Sequence, residues 1–158
     1  MKNQLEKTIY DTIPLASATQ LKVVELSHES INIKAPVADV NSNIHNTAFA
    51  GSIYSICALS AWGLMHSRVL SEGIDAEVVI AKAEIRYRLP VIEEISAKCQ
   101  VPEQDYQDFK ARLLENNKTR ITLSVAVQEG DDLQAEMQAN VAVMLLSWKN
   151  GRETGAQP

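Results

Sequence analysis

The feature that most limits the fold is a run of 19 residues without charge, Thr47 to Met65 (TAFAGSIYSICALSAWGLM), in a chain that is 22% charged overall. Its length would admit a membrane-spanning helix. Against that reading, Thr47, Ser52, Tyr54, Ser55 and Ser60 interrupt the run, as do Gly51 and Gly63, and the alternating segments around it need an apolar body to cover. A helix that is apolar on every side is buried, here in protein. Ala48, Ala50, Gly51, Ser52, Ser55, Ala58, Ser60 and Ala61 keep its girth small, so a sheet can wrap it closely. The run is therefore expected to be the central helix of a one-sheet domain.

The remaining chain supplies that sheet. Leu21–Leu26 and Ser30–Ala35 read as strands around a turn at His28-Glu29; in the second, Ile31, Ile33 and Ala35 share a face opposite Asn32 and Lys34. In Ala76–Leu89, Ala81, Ala83, Ile85, Tyr87 and Leu89 alternate with Lys82, Glu84, Arg86 and Arg88, and Ile95–Val101 alternates likewise. Pro102 then opens an amphipathic helix with acidic residues in its first turn and Tyr106, Phe109 and Leu113 as its apolar stripe. Two more strands, one with Ile121 to Val127 and one with Leu133 to Leu145 facing the core, meet at a turn over Gly130-Asp131-Asp132. Short helices are expected at Gln4–Tyr10 and after Pro14, and His66, Arg68, Glu72 and Gly73 read as the stop of the long helix. The pattern predicts an α+β fold: an antiparallel sheet of about six strands around one long central helix. One domain is expected over residues 1–148, followed by a polar, disordered tail at 149–158.

Charge and cysteine content narrow the function. A formal net charge of −5 opposes a general nucleic-acid binder, whose footprint is basic. Two cysteines, Cys57 and Cys99, give no disulfide framework and suit a reducing compartment. The opening MKNQLEKTIY lacks the apolar core of a signal peptide, so a cytoplasmic location is expected. The histidines near the helix start lack metal-ligand spacing, and no metal is expected.

One segment resembles a known family. The run Asn41-Ser42-Asn43-Ile44-His45-Asn46-Thr47-Ala48-Phe49-Ala50-Gly51-Ser52, with Ala61-Trp62-Gly63 after it and VVIAKAEIRYRLPV over Val78 to Val91, resembles the hot-dog thioesterase family. It is most similar to a proteobacterial branch found fused behind an N-acetyltransferase domain or standing alone, the stand-alone members resembling malonyl-acyl-carrier-protein decarboxylases. The resemblance spans about Pro14 to Leu146. It implies a homodimer joined edge to edge, with acyl-thioester sites at the subunit interface; Ala126, Ala142, Met144 and Leu146, on the faces opposite the core-facing residues, hint at a further contact and so at a tetramer. The resemblance also implies substrates on coenzyme A or acyl carrier protein, with no cofactor beyond the substrate's phosphopantetheine arm; the charge and the polar residues of the long run already argue against nucleic-acid and membrane partners.

The chemistry follows from the helix start. The first N–H groups of a helix lack internal partners and sit at the positive end of its dipole, where they can hold negative charge developing on a thioester oxygen. In related thioesterases an HGG motif occupies this place and a carboxylate follows seven residues after its second glycine; here Phe49-Ala50-Gly51 and Ala58 stand at those positions. No Asp, Glu or His occurs within the helix before His66. Hydrolysis needs a nucleophile and a base, whereas decarboxylating a malonyl thioester needs neutral donors for an enolate. The expected catalytic residues are Asn43, Asn46 and Gly51, with Phe49, Ala50, Ser52, Ser55 and His45 binding substrate. Each carries a plainer alternative: Asn43 as a turn residue, Asn46 as helix N-cap, His45 as a solvated loop residue, Ser52 and Ser55 as packing. Asn41 reads as loop structure, Cys57 as a small core residue, and His66 as a charge partner of the helix end. Lys82, Arg86, Arg88, Lys118 and Arg120 read as a solvated face that could also steer an acidic carrier protein or a CoA phosphate. A thioesterase and a non-catalytic acyl-CoA binding module remain alternatives.

Overall fold

A computed structural model describes residues 1–154. Two short helices, α1 (Lys2–Thr12) and α2 (Pro14–Ala18), lead into strands β1 (Lys22–Leu26) and β2 (Ser30–Pro36). A 3-10 turn (Asp39–Asn41) and a tight loop precede the long helix α3 (Ala50–Ser71). Then come β3 (Ala76–Tyr87), β4 (Glu94–Gln100), α4 (Glu103–Asn116), β5 (Lys118–Glu129), β6 (Asp132–Leu145) and α5 (Leu146–Thr154). The six strands form one sheet in the order β1-β2-β4-β5-β6-β3, each neighbour pair antiparallel. This is the expected α+β hot-dog architecture, with α3 lying against one face of the sheet.

The core forms where the apolar parity of the strands meets α3. Ile56, Leu64 and Met65 of the helix are fully buried, as are Ile33, Ile95, Met137 and Val141 of the sheet. Burying one such side chain contributes about 1.5–3 kcal/mol, so this interface outweighs any single polar contact in the molecule. Gly63 allows α1 to cross α3 closely: a Cβ there would meet Leu5 Cδ2 at 3.2 Å and Ile31 Cδ1 at 3.3 Å.

Three expectations are corrected. First, α3 starts and stops later than the charge-free run. Thr47 and Ala48 are held extended by the preceding loop, and Arg68 stays in the helix because its charge is satisfied there. Its guanidinium lies 3.6 Å from the Tyr106 ring centroid, donates to the His28 carbonyl at 2.8 Å and pairs with Glu103. His66 also lies inside the helix, stacked on Trp62 at 4.5 Å, and burial lowers its pKa, so it does not serve as a cation at the helix end. Glu72 closes α3 and Gly73, at φ +70, turns the chain away. Second, β3 carries a bulge between Ile80 and Lys82. Pairing puts Val78 opposite Val143, Ile80 opposite Val141 and Ala83 opposite Ala139, so the inward parity switches at Ala81. Third, helix α5 over Leu146–Thr154 takes in residues 149–154 of the tail expected to be disordered at 149–158, with Lys149 Nζ 3.0 Å from a Glu77 oxygen; the end of that tail, 155–158, lies outside the described residues. No described helix is long and apolar enough to cross a membrane.

Candidate active site

The loop before α3 is tied by its own polar groups. Ser42 and Ala48 form an isolated antiparallel bridge, and Asn43 sits at its neck. The Asn43 amide donates to Thr47 Oγ1 at 2.9 Å and to the Ala48 carbonyl at 3.2 Å. Its Oδ1 accepts the N–H groups of His45 at 2.8 Å and Thr47 at 3.3 Å. An asparagine amide has two donor hydrogens, and both are engaged within the loop, so the side chain expected to reach substrate instead shapes the segment that delivers residues 48–51. Asn46 adopts φ +56 and points the chain back toward Thr47. It does not cap α3: the N-cap is Phe49, in extended conformation and without a side-chain hydrogen bond. His45 is exposed at the loop tip.

Asn41 is the buried anchor of this segment, only 1% exposed. Its amide donates to the Thr19 carbonyl at 2.8 Å and the Pro36 carbonyl at 2.9 Å, and its backbone carbonyl accepts the Phe49 N–H at 2.7 Å. These bonds fix where α3 begins. Ser52 and Ile53 N–H donate back to the Phe49 carbonyl at 3.0 and 3.1 Å. The Ala50 and Gly51 N–H groups meet no acceptor among the described residues. Ala50 is exposed and Gly51 half-buried beneath the Phe49 ring, and these two donors stand at the positive end of the helix dipole.

Beside them lies a hollow of about 300 Å³, bounded by Leu15, Ala18 and Thr19 from the α2 region and by Val40, Asn41, Phe49, Gly51, Ser52 and Ser55. Of the expected site residues it brings together Phe49, Gly51, Ser52 and Ser55; Asn43, His45, Asn46 and Ala50 lie outside its walls. None of the lining residues is ionisable. Ser55 donates to the Gly51 carbonyl at 2.8 Å, an ordinary back-bond within the helix. The Phe49 ring lies over Gly51 so closely that a Cβ there would stand 2.4 Å from Phe49 Cε1.

The flank facing β3 is apolar and open. Tyr87 donates its hydroxyl to the Ala50 carbonyl at 2.9 Å, and burial raises its pKa. Tyr54 and Tyr87 remain 38% and 48% exposed, and the outer edge of β3 has no strand beside it. Cys57 is buried and its pKa is pushed up to about 12, first by burial and then by nearby Cys99, so it is a neutral core thiol. Ala58 is half-buried on the same helix. Among the described residues no group of three or more His, Cys, Asp or Glu could hold a metal ion. Asn41, read from sequence as loop structure, has that role, through partners at Thr19 and Pro36 that only the fold brings to it.

Comparison with known proteins places this geometry among relatives. A family model described as "Putative thioesterase (yiiD_Cterm)" matches residues 2–144. The structure is similar to that of a thioesterase-described protein from Shewanella oneidensis, with 28% identity, TM-score 0.80, and coverage of 90% of this chain and 96% of that one. It is also similar to a protein of unknown function from Chlorobaculum tepidum (22% identity, TM-score 0.85, covering 91% and 94%) and to one from Pseudomonas aeruginosa described as a probable thioesterase (16% identity, TM-score 0.79, covering 92% and 97%). The latter two show the fold alone.

Proposed function

The chain belongs to the family described as "Putative thioesterase (yiiD_Cterm)", whose members process acyl thioesters, and from that premise we propose that it decarboxylates a malonyl thioester carried on acyl carrier protein to the acetyl thioester. The carrying observation is the helix start: two free backbone donors, at Ala50 and Gly51, beside a hollow whose walls hold no ionisable side chain. In the proposed reaction the bond between the substrate's α-carbon and its carboxylate breaks and carbon dioxide leaves. The electron pair moves onto the thioester as an enolate, whose oxygen is held by the Ala50 and Gly51 N–H groups, and a solvent proton at the α-carbon gives the acetyl thioester. Each preorganised donor in such a site is worth about 10²–10³ in rate. Asn43 acts by holding the loop that sets these donors in place, and Phe49 covers them.

A second copy of the chain completes the site in this reading. The bare edge of β3 and the exposed Tyr54 and Tyr87 beside the helix start form an apolar flank that edge-to-edge pairing of two sheets would cover.

Hydrolysis is the second reading, favoured by the family description; it requires a base to reach Gly51 from the second copy. The deciding experiment follows carbon dioxide and free thiol together on malonyl-acyl carrier protein. Decarboxylation predicts carbon dioxide and acetyl-acyl carrier protein without thiol. Thiol released in step with substrate loss replaces the proposal with hydrolysis, and saturable binding without either product makes the protein an acyl-binding module.

A further inference from the structure

The sheet's outer face carries a groove of about 490 Å³ that the helix-start chemistry does not use. Its floor is apolar, with Val79 of β3 and Ala142 and Met144 of β6, and Trp148 of α5 forms one wall. Lys118 and Arg120 of β5 stand over it, in register opposite Met144 and Ala142.

Of the five cations expected to lie on the outer face, these two line the groove and, like Arg86, form no ion pair among the described residues. Lys82 pairs with Glu84 and Arg88 with Glu136, while Arg86 stands in register opposite that same Glu136. Lys118 Nζ instead lies 5.3 Å from the Trp148 ring centroid. Glu77, the carboxylate in the groove, is held by Lys149; Asp105 and Asp108 share a neighbouring hollow with Arg120 without pairing to it. In a chain of net charge −5, this is a cationic rim on an exposed apolar floor, complementary to an acidic partner that also buries apolar surface.

Its position suits the reaction only across two copies. Within one chain the Glu77 end of β3 and the Tyr87 end, where the helix starts, are about 33 Å apart at roughly 3.3 Å per residue. Antiparallel pairing of β3 with its copy, centred near the middle of the strand, sets the groove of one copy at the strand end where the helix of the other starts, about two strand spacings or ~10 Å along the sheet and on its opposite face, so that an arm reaches it around the strand ends. We propose that this groove is the docking surface for the acidic carrier protein, and that a carrier seated on one copy delivers its acyl arm to the helix start of the second. The proposal rests on the thioester reading above.

The test compares the unaltered protein with the double variant Lys118→Glu, Arg120→Glu on two substrates: malonyl-acyl carrier protein, and S-malonyl-pantetheine, which has the arm without the protein. Rim charges act mainly on encounter with a charged partner, so the KM for the carrier substrate should rise about tenfold or more with kcat unchanged. Turnover of S-malonyl-pantetheine should be unaltered, which also establishes that the variant folds. An unchanged carrier KM overturns the proposal, as does an equal loss on both substrates. If the unaltered protein turns over neither, the thioester reading fails, and titration of holo-acyl carrier protein against both forms still decides docking: weaker binding to the variant supports it and equal binding overturns it.

Discussion

Gly51→Ala separates stability from function at the helix start. The backbone of Gly51 does not need glycine for its conformation: the positive-φ glycines are Gly73 and Gly130. What it provides is space. A methyl group there would stand 2.4 Å from Phe49 Cε1 and 2.9 Å from Cζ, closer than packed carbons approach. Phe49 is 51% exposed, so its ring can swing into solvent at the cost of a half-buried contact, about 1 kcal/mol of apolar burial. Alanine regains up to about 1 kcal/mol in helix propensity. The two nearly cancel, and the melting temperature should move by only a few degrees. Activity should not survive in the same way, because the methyl occupies the approach to the Ala50 and Gly51 N–H groups and removes their cover. Losing one oxyanion donor's worth of stabilisation lowers kcat about 10²-fold. Thermal unfolding alongside carbon dioxide release from malonyl-acyl carrier protein would measure both. Wild-type turnover in a stable variant would refute the assignment of the oxyanion site to this turn.

Other perturbations test the surrounding structure. Asn43→Ala and Thr47→Val should lower kcat in parallel, by about 10²-fold where the loop shifts by an ångström, because each breaks the same Asn43–Thr47 network; steady-state kinetics in which Thr47→Val is silent would return Asn43 to direct contact with substrate. Cys57 and Cys99, both buried with pKa values of about 12, should resist iodoacetamide at pH 8 in the native protein and react after urea unfolding; fast native labelling would contradict their burial. Burial lowers the pKa of His66, so the unfolded chain binds a proton that the folded one refuses. The stability given by neutral His66 is present above its unfolded pKa, about 6.5, and is lost as pH falls from there through the lower folded value. His66→Phe, which keeps the stack on Trp62, should flatten that part of the urea-stability profile, and an unchanged profile would refute it.

The central helix, the succession of elements along the chain and most of the core faces were legible in sequence because each rests on local periodicity: the uncharged run of α3 and the alternation in β2, β4 and β5 leave little freedom, whereas the strand order in the sheet comes from the fold. The bulge in β3 was not, since Val78, Val79, Ile80 and Ala81 are all apolar and parity within them is set only by pairing with β6. Helix α5 was hidden by a polar composition that reads equally well as a tail. The site was half legible. That α3 begins beside Gly51 follows from the residues around it. Which asparagine stays free does not, because Asn41 is tied down by carbonyls at Thr19 and Pro36, and Asn43 by a loop whose shape depends on Ala48 meeting Val91.

The most direct test of the oxyanion assignment is amide NMR during titration with a pantetheine thioester analogue bearing a nitronate in place of the enolate. The account predicts large downfield shifts at the Ala50 and Gly51 backbone N–H groups, with the Asn43 side-chain amide little changed. Shifts concentrated on the Asn43 amide, with Ala50 and Gly51 silent, would contradict it.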